Sequence, residues 1–153
     1  MKLLKRPHPI SILATLIWVL FIFSFSLQNA SDSSMASSRL AQWGLSLLDM
    51  SVPMHTITLQ DMVVLVRKTA HVLNFSVLMI CLISLTHQSI NKWVITSWML
   101  CLSVAIMDET IQRFVPGRSA QFSDVVLDMS GATLILMSVW WVKERRKHGS
   151  KHL

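Results

Sequence analysis

Residues 93–142 read WVITSWMLCLSVAIMDETIQRFVPGRSAQFSDVVLDMSGATLILMSVWWV. Two apolar runs flank a polar middle, and each run carries carboxylates at the end nearest that middle. Asp108 and Glu109 close the first run, while Asp124 and Asp128 open the second. Pro116–Gly117 enforces a reversal between them. The pattern predicts an antiparallel helix pair whose apolar lengths suit a bilayer core about 30 Å thick. The first run is short, since Lys92 and Asp108 bracket only 15 uncharged residues. That is about 22 Å of helix. To cross fully, this helix must carry Asp108 and Glu109 to the membrane's edge, or draw Lys92 inward by snorkelling.

The rest of the chain extends this hairpin into a bundle. Between Arg6 and Asp32 lie 25 residues without Lys, Arg, Asp or Glu, with Ile10–Leu27 as their apolar heart. The preceding MKLLKRPHP mimics the basic start of a signal peptide. However, the 18 apolar residues exceed the roughly 7–15 of a signal's apolar region, and QNAS lacks an A-x-A-like site. The segment is therefore expected to persist as a span. A further run begins near Ala70 and reaches Ile90. The expectation is an all-α integral membrane protein, one domain over 1–153. Its four transmembrane helices are placed at about 10–27, 70–89, 91–111 and 124–142.

Composition agrees. Apolar residues make up 52% of the 153, charged residues 14%, and mean hydropathy is +0.52. A typical soluble chain carries about 25% charged residues. A disordered chain, a disulfide scaffold and a soluble nucleic-acid binder are excluded as classes, the last because its basic charge would need a polar surface. Cys81 and Cys101 both lie in apolar runs and read as reduced packing residues.

Basic residues set the expected orientation. Lys2, Lys5, Arg6, Lys92, Lys143, Arg145, Arg146, Lys147 and Lys151 share one side; Arg39, Arg67, Lys68, Arg113 and Arg118 share the other. The positive-inside rule places both termini in the cytoplasm. Trp93, Trp140 and Trp141 fit an interfacial belt on that side. Residues 28–66 then form an extracytoplasmic segment. Within it Leu40, Trp43, Leu47 and Met50 recur at helical spacing, and Pro53 ends the run. A short amphipathic helix is expected there, lying on the outer membrane surface or packed over the spans, with packing favoured because the helix has little basic charge to hold lipid, after a mobile Ser-rich stretch at 31–38.

Polar residues at membrane depth are functional-site hypotheses by default. Three stripes occur. Arg67, His71 and Asn74 share a helical face, Asp108 and Glu109 are followed by Gln112 and Arg113, and Gln121, Asp124, Asp128 and Gly131 share another face. Glu109 and Arg113 stand at i,i+4 and are expected to pair. All three stripes fall on one side of the membrane, so they are expected to line one outward-facing polar pocket. The candidate ligand-binding set is Arg67, His71, Asp108, Glu109, Gln112, Arg113, Arg118, Asp124 and Asp128. The bland alternative is a self-neutralising network, since Arg67, Lys68, Arg113 and Arg118 balance Asp108, Glu109, Asp124 and Asp128. No Cys/His spacing resembles a zinc site. A divalent ion on Asp108, Asp124 and Asp128 has no fixed coordination geometry, so no metal or cofactor is expected. Gly131–Ala132 is expected to permit close helix approach.

RKTAHVLNF at 67–75 and DETIQRFVPGRSAQFSDVVLDMSGA at 108–132 resemble the VanZ-like family of bacterial membrane proteins. The family pattern runs R-K-x-x-H-x-x-E-[YF], then D-E-x-x-Q-x-F-x-P-G-R, then D-x-x-x-D/N-x-x-G. Arg67, Lys68, His71 and Phe75 fit the first block. Asp108, Glu109, Gln112, Phe114, Pro116, Gly117 and Arg118 fit the second, and Asp124, Asp128 and Gly131 fit the third. FSFSLQNASDSS at 23–34 is similar to a Ser/Gln-containing segment of the family. Asn74 stands where a glutamate is usual. The resemblance implies a multi-pass bacterial cytoplasmic-membrane protein linked to resistance to the glycopeptide teicoplanin, and supplies no reaction. Two functions remain open. One is binding of an anionic lipid or cell-wall precursor by the arginines. The other is an intramembrane enzyme acting on a lipid-linked envelope substrate, with Glu109, Asp108 and His71 as candidate catalytic residues.

Overall fold

Each apolar run becomes a helix. The computed structural model describes residues 7–51, 56–86 and 92–149. They form α1 (Pro9–Ser26), α2 (Ala30–Ser51), α3 (Leu59–Thr86), α4 (Trp93–Arg113) and α5 (Phe122–Gly149), with no strand among the described residues. Four helices are long and apolar enough to cross a membrane: Pro9–Ser26, Leu59–Thr86, Trp93–Arg113 and Phe122–Arg146. Many of their large side chains stay uncovered by protein, among them Ile10, Leu13, Leu16, Ile17 and Leu20 of α1. Such a surface suits a hydrocarbon solvent.

The third helix runs longer than the spacing of its apolar residues suggests. It starts at Leu59, eleven residues before the expected 70, and so takes in the end of the supposed extracytoplasmic segment. A capping box accounts for the early start. The Thr58 N–H and hydroxyl both donate to Asp61 Oδ2, at 3.0 and 2.7 Å, and the Asp61 N–H donates back to Thr58 Oγ1 at 3.2 Å. Arg67 and His71 consequently stand two and three turns inside α3, not at its mouth. The expected end of this span, 87–89, lies outside the described residues, as do Pro53 and the N-terminal basic residues Lys2, Lys5 and Arg6.

The short fourth helix reaches 21 residues by continuing through its carboxylates to Arg113. Asp108 and Glu109 meet protein there: they are 0% and 5% exposed. Val115–Arg118 then form a turn in which the Arg118 N–H donates to the Val115 carbonyl at 3.2 Å. Gly117 sits third, with φ +77°. Proline second and a positive-φ glycine third is the type II pattern.

α3 packs against every other helix. The core gathers Ile22, Phe75, Leu78, Met79, Leu82, Cys101, Ala105, Met129 and Leu136. α3 and α5 approach closely at Gly131, where an added Cβ would lie 2.8 Å from the Val72 carbonyl oxygen and 2.7 Å from Val72 Cγ1. At the far end from Asp108, Ser11 Oγ and Ser84 Oγ meet at 2.9 Å, and Thr86 Oγ1 and Ser97 Oγ at 2.7 Å. Lys143 lies over the Trp93 ring and Arg145 over the Trp141 ring.

α2 departs from expectation twice. Ser31–Ser38 is helical, folded into a single element of 22 residues. Its apolar stripe is also left largely uncovered by protein: Trp43, Leu47 and Met50 are exposed, and Leu40, likewise exposed, borders a cavity shared with α1 and α3. Contact with α3 uses small residues instead. Ala41 is wholly buried, and a Cβ on Gly44 would come 2.9 Å from Met62 Cε.

Candidate functional site

The three polar stripes meet at the end of the bundle that carries the Pro116–Gly117 turn. Asp108 sits deepest, wholly buried. Ser26 of α1 donates its hydroxyl to Oδ1, and Gln112 Nε2, one turn along α4, donates to Oδ2 at 2.8 Å. Asp128 of α5 is likewise wholly buried, and the Nδ1 of His71 on α3 lies 3.5 Å from its Oδ1. One ligand atom each from His71, Asp108 and Asp128 fall within 4.8 Å of one another. Four helices thus each place a polar side chain at this level.

Glu109 is held differently from expectation. Its Oε2 accepts the Gln121 backbone N–H at 2.8 Å, tying α4 to the start of α5. Arg113 is exposed and lines neither cavity, so the expected Glu109–Arg113 pair is not formed. The physical reason is competition: an oriented amide at 2.8 Å engages Oε2 without immobilising a long side chain, while Oε1 is buried with no hydrogen-bond partner.

Two cavities flank this cluster. The first, of about 180 Å³, lies among α1, α2 and α3 and is lined by Ile22, Phe25, Ser26, Leu40, Arg67, His71, Asn74, Phe75, Asp108 and Arg118, among others. The second, of about 220 Å³, is lined by Arg67, Lys68, His71, Gln112, Arg118, Gln121 and Asp124. Arg67, His71 and Arg118 border both. Arg118 Nη2 donates to the Phe25 carbonyl at 3.2 Å, which turns the guanidinium back over the bundle. Burial, and after it the neighbouring Arg67 charge, pull the Arg118 pKa below its ordinary value. A guanidinium remains charged at neutral pH all the same.

Of the nine sequence-derived candidates, eight therefore converge and Arg113 does not. Three contributors were not foreseen: Ser26 on Asp108, the Gln121 N–H on Glu109, and the α2 residues Ser33, Ser37 and Leu40 at the first cavity. Ser26 and Ser33 had a signal within FSFSLQNASDSS, and Gln121 had one in its polar stripe; Ser37 had none.

The family model VanZ/LLP1 matches residues 11–143, which takes in every residue of the cluster. The chain belongs to the VanZ/LLP1 family. No curated protein sequence and no solved structure matches it. Where the VanZ-like pattern has a glutamate, Asn74 borders the first cavity, and its backbone carbonyl accepts the Trp18 indole N–H at 2.9 Å. Membership in VanZ/LLP1 and four apolar helices together make this a multi-pass membrane protein.

Proposed function

We propose that this VanZ/LLP1-family protein binds an anionic, amphiphilic cell-envelope ligand in an outward-facing polar pocket of the bacterial cytoplasmic membrane. The observation that supports this reading is the shared wall of the two cavities. Arg67, His71 and Arg118 stand between a cavity rich in apolar side chains, such as Ile22, Phe25 and Leu40, and a cavity rich in polar ones. An amphiphile needs both environments side by side, with cationic donors at the junction. A guanidinium supplies bidentate, charge-assisted bonds to phosphate or carboxylate. Two neighbouring guanidiniums repel each other, and an anion between them removes that repulsion. Altered access of teicoplanin to its cell-wall precursor targets would follow from holding or displacing such a ligand.

The decisive variant is Arg118→Lys, which keeps the charge and removes the planar fork. Binding of a fluorescent long-chain alkyl phosphate to the purified protein is expected to weaken about tenfold, since bonds to charged groups are each worth about 1.5–3 kcal/mol. Unchanged affinity in the assembled variant would overturn the reading. The enzymatic alternative draws on the His71–Asp128 contact, which can orient an imidazole for proton transfer. Turnover of a lipid-linked phosphate ester by the same preparation would favour it.

A further inference from the structure

Asp128 is the least satisfied group among the described residues. Its side chain is wholly buried, and neither carboxylate oxygen has a hydrogen-bond partner. His71 Nδ1 lies 3.5 Å from its Oδ1. That is long for a charge-assisted N–H···O bond, which runs to about 2.7–2.9 Å. It is close to the separation of two ligands on one metal: donors about 2.0–2.1 Å from a tetrahedral ion stand about 3.3 Å apart. Asp108 completes the set, with one ligand atom from each of the three residues within 4.8 Å of the others.

Charge points the same way. Two buried carboxylates with a neutral imidazole sum to −2, and with an imidazolium to −1. A divalent cation bound by both carboxylates and the neutral imidazole brings the set to zero. The surroundings of Asp108 also suit a ligand. Ser26 and Gln112 donate to its two oxygens, one each, fixing the carboxylate's orientation while each oxygen keeps a lone pair.

We infer that His71, Asp108 and Asp128 form a binding site for a divalent cation. The nitrogen donor favours a first-row transition ion such as Zn²⁺ over Mg²⁺ or Ca²⁺, which take oxygen ligands. Three protein donors leave a coordination position open, and His71 and Asp108 both border the first cavity. The residues lie 37 and 20 positions apart on three helices, so no sequence spacing announces them. The inference stands on these side chains alone and does not require the amphiphile reading; no amphiphile ligand enters its test.

The full chain, purified in detergent and stripped with EDTA, is titrated with Zn²⁺, and bound ion is measured by mass spectrometry after dialysis. One ion per chain is expected, with a rise in melting temperature. Asp128→Asn and His71→Gln should each abolish stoichiometric uptake. Ser26→Ala, which removes the bond that orients Asp108 together with the hydroxyl's contact with the Ile22 carbonyl but no ligand atom, should weaken it about tenfold. Asp32→Asn, at an exposed carboxylate on α2, should change nothing. Loading the unaltered protein with Cu²⁺ needs no variant to fold, and its electron paramagnetic resonance spectrum should show coupling to one histidine nitrogen. Absence of stoichiometric uptake by the unaltered protein would overturn the site, as would uptake retained in both Asp128→Asn and His71→Gln. A Cu²⁺ spectrum without nitrogen coupling would do the same.

Discussion

Glu109 shows how a residue can lie where its polar stripe puts it and still take a different partner. Its place in a polar stripe is plain from the sequence, whereas its acceptor role toward the Gln121 N–H depends on how α4 and α5 meet. Glu109→Ala leaves that amide without its acceptor and is expected to cost about 1–3 kcal/mol. Glu109→Gln keeps a carbonyl oxygen in place and should cost less than half as much. Thermal unfolding in detergent measures both, and equal losses would show that charge, not the hydrogen bond, matters at this position. The other polar residues were legible for one reason: lipid cannot hydrogen-bond them, so each must find protein or water. Their partners were not legible, because His71, Asp108 and Asp128 come from three different helices.

Among the elements, α2 and α3 depart furthest from simple periodicity. The Thr58–Asp61 capping box that starts α3 was present in the sequence as T-x-x-D, yet hydropathy alone placed the start at the first uncharged residues. On α2 the helical spacing of Leu40, Trp43, Leu47 and Met50 held, but Trp43, Leu47 and Met50 are exposed and only Leu40 borders a cavity. Where lipid tails are the solvent, an apolar face needs no protein cover, and small residues make the helix contacts instead. Trp43→Ala is accordingly expected to change unfolding in detergent by less than about 0.5 kcal/mol. Quenching of Trp43 fluorescence by brominated lipids should reveal contact with the bilayer, and its absence would place the stripe in water. Gly131 is the opposite case. An alanine there would press on the Val72 carbonyl at 2.8 Å, an atom that moves only if α3 moves. Overpacking of this kind costs about 1–3 kcal/mol, readable as a lowered melting temperature for Gly131→Ala.

For the whole molecule, the positive-inside rule predicts an orientation from 14 Lys and Arg residues, nine of them on the side expected to face the cytoplasm. With Cys81 and Cys101 replaced by alanine, a cysteine at 39 or 119 should react with a membrane-impermeant reagent added outside. A cysteine at 145 should react only after the membrane is opened. Labelling of position 39 from the cytoplasm alone would invert the topology and turn the polar cluster inward.

Counting the spans needed no tertiary information. A run of about 20 apolar residues has one stable form in a bilayer, the helix that satisfies its own backbone, so composition along the chain suffices. The Pro116–Gly117 reversal is equally local, since it rests on which backbone angles are permitted. Facing and pairing are different in kind. The choice of Gln121 over Arg113 as the partner of Glu109, the largely uncovered stripe of α2 and the meeting of His71, Asp108 and Asp128 each depend on the rotation of one helix relative to another. With lipid accepting any apolar face, that rotation is set by small-residue contacts and polar satisfaction across helices, and no stretch of sequence contains both sides of such a contact.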